Sequence, residues 1–141
     1  MTGNPVGLFT RYTVATPRRS PTVEVAPHPD LPYCWIITLP PDVLAGVDDV
    51  FLRFDVDCDK AFLYLGDDLV ADYFYNGEVW EVGLRRFADR LGTASLRLVL
   101  KPLRADAKVY FDRPPHFVDG VAGRLNGVEA VPVYRFIVHS T

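Results

Sequence analysis

The sequence predicts an all-β protein, an antiparallel β-sandwich or jelly roll. Short runs of β-branched and aromatic residues recur roughly every 10 positions, separated by Pro, Gly and Asp clusters. The 141 residues include 12 Pro and 10 Gly against one Met, a composition of strands and turns. Alternating βαβ architecture needs amphipathic helices of roughly 10 or more residues, and no stretch supplies one.

The elements follow in order. The first segment, residues 1–30, is irregular and Pro-rich and is expected to pack along the domain, with short strands at Arg11–Val14 and Thr22–Val25. Residues 31–141 then form one sandwich domain, since this length suits a single core. Tyr33–Leu39 is a strand stopped by Pro40-Pro41, and Asp42–Gly46 is a turn. In Val50–Val56, Phe51 and Arg53 alternate with Leu52 and Phe54, giving one apolar and one mixed face. Ala61–Leu65, Gly66-Asp67-Asp68 and Leu69–Asp72 form a hairpin. Asp72–Glu78 reads as a polar, aromatic loop, Val79–Leu84 as a strand and Arg85–Arg90 as a helical turn. Ser95–Leu100 and Ala107–Phe111 are strands ended by prolines. His116–Gly127, with its glycines at 120, 123 and 127, reads as a loop, and Val131–Val138 is the closing strand.

Charge and composition exclude several classes of function. A net charge of -3 does not provide the basic stripe that a dedicated nucleic-acid binder needs. No apolar run approaches the ~20 residues that span a bilayer, and no signal peptide is visible, so the chain as written reads as cytoplasmic and without a membrane partner. Cys34 and Cys58 sit in apolar strand segments and read as buried small hydrophobes rather than a disulfide framework.

Catalytic signatures are sparse. His28, His116 and His139 are far apart in the sequence, so neither HxH nor HExxH spacing occurs. Asp55, Asp57 and Asp59 alternate as oxygen ligands for calcium could. An EF-hand loop beginning at Asp55 needs Gly at 60 and Glu at 66, where this chain has Lys60 and Gly66. The triplet is therefore a weak calcium candidate, beside a plain reading as a polar strand edge, and no other cofactor is expected. Glu78 and Glu81 fall on opposite sides of a strand and cannot act as an acid–base pair. GxSxG, Walker and dinucleotide motifs are missing from the sequence. The chain by itself reads as a non-enzyme.

The remaining feature is the aromatic cluster Tyr73, Phe74, Tyr75 and Trp80 around Asp72, Asn76 and Glu78. Aromatic faces stack on the C–H patches of sugars while amides and carboxylates hold hydroxyls. Asp72, Tyr73, Tyr75, Asn76, Glu78 and Trp80 are thus candidate ligand-binding residues, with Trp80 or Tyr75 as the stacking platform. The same aromatics could equally fill the core or dock on a partner.

Val50–Asp55, Ala61–Leu65 and Leu69–Asp72 together resemble the galactose-binding-like jelly roll of glycoside hydrolases. Asp72-x-Phe74-Tyr75-Asn76-Gly77-x-x-Trp80-Glu81-Val82-Gly83-Leu84-x-Arg86-Phe87 is similar to a segment near the C-terminus of large bacterial family-35-type β-galactosidase homologues. Glu129–Tyr134 is similar to the closing strand of those chains. The hairpin turn departs from the pattern, with Gly66-Asp67-Asp68 where Asn-Gly or Asp-Gly is usual. The resemblance implies a non-catalytic accessory module, because in that family the catalytic acids lie in a separate barrel. Its implied partners are a galactoside-type carbohydrate or a glycoside hydrolase catalytic domain, which it could brace without binding sugar.

Overall fold

A computed structural model describes residues 20–107, 109 and 111–134. It is all-β and every strand pairing is antiparallel, as in a β-sandwich. The strands are β1 (Glu24–Pro27), β2 (Cys34–Thr38), β3 (Asp49–Asp57), β4 (Lys60–Leu65), β5 (Asp68–Phe74), β6 (Trp80–Gly83), β7 (Leu96–Lys101), β8 (Leu103–Arg104), β9 (Val121–Ala122) and β10 (Arg124–Val133). They form a five-stranded sheet in the order β1-β2-β7-β4-β5, a three-stranded sheet β10-β3-β6 and a small β8-β9 pair. No helix among the described residues is long and apolar enough to cross a membrane.

Period-two alternation decides what each sheet buries. Val50, Leu52, Phe54 and Val56 of β3 point inward, while Phe51, Arg53, Asp55 and Asp57 alternate with them and point outward. The inner face of the larger sheet is built from Ala61, Leu63 and Leu65 of β4 and Leu96, Leu98 and Leu100 of β7, all buried. These two inner faces share one hydrophobic cluster, which also holds Trp80, Val82 and Ala130. Full burial of a Leu or Phe side chain is worth roughly 1.5–3 kcal/mol, so this cluster is the main stabilising term of the fold.

Asp49 ties the start of β3 to the end of β6. Its Oδ1 accepts the N–H groups of Val50 (2.7 Å), Leu84 (3.1 Å) and Arg85 (2.8 Å). Arg85 returns the contact by donating from Nε to the Asp48 carbonyl at 2.8 Å and from Nη2 to the Val47 carbonyl at 2.7 Å. The 3₁₀ turn Arg85–Phe87 follows, within the expected helical turn.

Three readings of the sequence change. β10 starts at Arg124, inside the expected His116–Gly127 loop, and at 10 residues is the longest strand among the described residues. Gly123 does not mark a turn there. A Cβ at this position would stand 2.6 Å from Tyr33 Cε1, so glycine permits a close approach of chains. Of the expected strand Ala107–Phe111, the described residues 107, 109 and 111 lie outside any strand. The chain turns instead after β8, with the Ala107 N–H on the Arg104 carbonyl at 3.0 Å. β5 continues through Phe74, so Asp72 and Tyr73 are strand residues rather than loop. The hairpin turns at Gly66-Asp67, and the β4–β5 register shifts between Leu63 and Tyr64, leaving Val70 unmatched. The expected strand Arg11–Val14 and the end of the closing strand lie outside the described residues.

Both cysteines are buried and unpaired. Burial pushes the Cys58 thiol from 9.0 up to about 12, helped by the charges of Asp59 and Asp57. The native state then keeps a proton that the unfolded chain releases, so this stabilisation is intact below pH 9.0 and is lost as pH rises toward about 12. Denaturant titrations across this alkaline range should show stability falling by up to ~1.4 kcal/mol per pH unit, with a shallower fall in Cys58→Ala. An unchanged slope in the variant would contradict this assignment.

Candidate functional site

The predicted aromatic cluster is an internal hub. Tyr73 and Trp80 are each 8 % exposed, too little for a sugar-stacking platform. Their rings stack at 5.6 Å and 13°, and Trp80 meets Phe54 at 5.0 Å. Trp80 is the first residue of β6, and Tyr73 lies on the inner face of β5, opposite Ala61. The stack therefore joins the edges of the two sheets.

The Tyr73 hydroxyl organises the intervening loop. It lies 2.6 Å from the Glu78 carbonyl and 2.8 Å from Asn76 Oδ1, and its one proton serves either acceptor at a time. It accepts the Asn76 N–H at 3.2 Å, and Asn76 Oδ1 accepts the Glu78 N–H at 2.9 Å. Asn76 is thus engaged in local bonds. Gly77 completes the turn with φ +87°, and a Cβ there would stand 2.7 Å from Arg113 Cβ. Burial raises the Tyr73 pKa, opposed by the backbone bonds at Asn76 and Glu78. Tyr75 is half-buried, edge-on to Phe111 at 5.4 Å, and its pKa is also raised, by burial first and by Asp57 next.

Other predicted residues diverge. Asp72 is exposed on β5 opposite Phe62, on the side of the strand away from Tyr73. Phe74 is 62 % exposed beneath Lys60 Nζ, 5.1 Å from its ring centre. The Glu78 side chain is exposed.

The calcium triplet does not converge. Asp57 accepts the His116 N–H on Oδ1 and the Asn126 side-chain amide on Oδ2, both at 2.8 Å. Asp55 Oδ1 takes the same amide at 3.3 Å, and Asp59 faces Lys101 Nζ at 3.6 Å. Hydrogen bonds and an ion pair occupy these carboxylates, and no group of three or more His, Cys, Asp or Glu among the described residues could hold a metal.

A different site emerges on the outer face of the three-stranded sheet. Arg53 on β3 sits between Glu129 on β10 and Glu81 on β6, which are its register partners. Its Nε is 3.0 Å from Glu81 Oε2 and its Nη1 is 3.4 Å from Glu129 Oε1. One row further, Asp55 pairs with Gly127. Arg53, Asp55, Val79, Gly127, Val128 and Glu129 line an open groove of about 410 Å³. The side chains of Arg53, Glu81 and Glu129 are 39 %, 52 % and 66 % exposed, so their pairing adds little to stability. The row leaves guanidinium donors and carboxylate acceptors facing solvent.

The alternation in Val50–Val56 points Arg53 outward and could have flagged it, whereas Asp55 is singled out only as a calcium candidate. Their partners Glu129, Gly127 and Asn126 lie on β10, whose first half reads as loop because of its glycines. No family model matches the chain, and no curated protein or solved structure matches it.

Tyr73→Phe should destabilise the fold by about 1–2 kcal/mol, because it leaves the Asn76 N–H and its neighbours short of a partner. Amide exchange at Asn76 should accelerate in the same variant. Unchanged stability together with unchanged exchange would show that the hydroxyl does not hold the loop.

Proposed function

We propose that this chain is a non-catalytic accessory β-sandwich, of the jelly-roll kind that its sequence resembles, which binds carbohydrate in the groove of its three-stranded sheet. The observation that carries the reading is the Glu81–Arg53–Glu129 row beside Asp55 and Val79. A sugar hydroxyl donates to a carboxylate and accepts from a guanidinium, so this row can engage neighbouring hydroxyls in both senses. Val79 is 43 % exposed and offers an apolar wall for a C–H patch. In this reading the predicted loop contributes indirectly: the Tyr73 hydroxyl holds the Glu78 carbonyl, next to Val79 in the chain. An open, shallow site of this kind suits weak binding, and a millimolar affinity corresponds to about 4 kcal/mol.

One observation favours a second reading, a domain that braces a glycoside hydrolase catalytic domain. On the larger sheet, register and alternation place Ile36, Phe62, Tyr64 and Val99 on the outer face, all half-buried, near the exposed Phe74 and Leu69. Arg97 caps Tyr64 there at 5.0 Å. A sheet apolar on both faces is suited to being covered on both faces.

Gly127→Val tests the groove. Nothing lies within 4 Å of the position its Cβ would take, and its φ is outside the left-handed region, so a strand-forming side chain fits without strain. Calorimetric titration with a neutral galacto-oligosaccharide should show at least ~10-fold weaker binding in this variant, with thermal stability unchanged or raised. Equal affinity in the folded variant would overturn the groove assignment.

A further inference from the structure

We infer that the groove selects saccharides by charge: it accepts neutral ones, holds amine-bearing ones more tightly and rejects acidic ones such as uronates. This inference rests on the carbohydrate reading above. Two carboxylates, Asp55 and Glu129, line the groove with the guanidinium of Arg53, and a third, Glu81, is ion-paired to that guanidinium from β6. Arg53 already stands between two of those carboxylates, so an incoming carboxylate finds no unpartnered cation at the centre of the row. One row beyond, Arg124 lies opposite Asp57, and that pair adds no net charge. Among the described residues, Asp55 takes its side-chain hydrogen bond from the neutral Asn126 amide at 3.3 Å. At neutral pH a carboxylate carries a full negative charge, so the groove presents a local excess of negative charge on a chain that is itself at -3.

The register places like charges on the two strands that flank β3, and Gly127 leaves open space across from Asp55. A sheet face meant for packing would be apolar. An acidic row around a single arginine retains acceptors for sugar hydroxyls and repels anionic rings. The repulsion acts through water at an exposed site, so salt should weaken it within a screening length of about 8 Å at 0.15 M.

The test is titration of the full chain, at low and at physiological salt, with three oligosaccharides of equal length: galactotetraose, tetragalacturonate and tetraglucosamine. At low salt the expected order is tetraglucosamine tightest and tetragalacturonate at least ~10-fold weaker than galactotetraose, with the gap narrowing as salt rises. In the double variant Glu81→Gln/Glu129→Gln the affinities for the three sugars should converge, with most of the discrimination lost whatever the change in neutral-sugar affinity. Tetragalacturonate binding as tightly as galactotetraose to the unaltered chain would overturn the inference. Discrimination that persists unchanged in the double variant would overturn its assignment to this row. Failure of all three sugars to bind is a different result, and would overturn the carbohydrate reading itself.

Discussion

A buried tyrosine whose hydroxyl has work to do constrains much of this molecule. Tyr73 stands at the edge of the five-stranded sheet, stacks on Trp80 at the edge of the other, and bonds through its hydroxyl to Asn76 and Glu78. A buried phenol without partners would cost roughly 1–3 kcal/mol, so loop and ring stabilise each other. The consequence runs outward from the core. With the Glu78 carbonyl fixed, Val79, Trp80 and Glu81 enter β6 in the register that sets Trp80 against Phe54 and Glu81 against Arg53. The same hub that seals the core thus aligns one side of the groove.

The two sheets share a core but present different outer faces. β3 shows how one strand serves both purposes: its inward residues are wholly apolar, and its outward residues include Arg53 and Asp55 of the groove. Asp49 begins the strand by receiving three backbone N–H groups, and Asp57 ends it by receiving the His116 N–H and the Asn126 amide. These terminal carboxylates are structural. The carboxylates in the middle of the face, at 55, 81 and 129, are the ones left to meet solvent. This division separates the carboxylates that hold the fold from those that face the groove proposed to bind sugar.

The fold class and most strands are legible in the sequence because alternation and proline stops are local signals. Val50–Val56 shows both of its faces in the order of its residues. Other features depend on contacts that sequence order hides. Gly123 looks like loop punctuation, but the ring of Tyr33 and the Cβ of Pro102 pressed against it explain the glycine. Gly127 lies within an extended strand, so the first half of β10 goes unseen, and with it Gly127 and Asn126, the partners of Asp55. The aromatic loop was legible as a cluster but not as to side. Tyr73, Phe74 and Tyr75 are consecutive, and burial differs among them because β5 continues farther than its polar residues suggest. The aspartate triplet has the spacing of ligands, yet its partners Asn126, His116 and Lys101 arrive from distant strands and loops.

The most direct measurement is amide chemical-shift mapping of the full chain with a neutral galacto-oligosaccharide at millimolar concentrations. The account predicts saturable shifts centred on Arg53, Asp55, Val79 and Gly127–Glu129, while the Trp80 indole stays unperturbed. Saturable shifts centred on Tyr73 and the Trp80 indole, with the groove silent, would contradict it. They would mean that the aromatic hub opens to bind sugar rather than holding the groove in place.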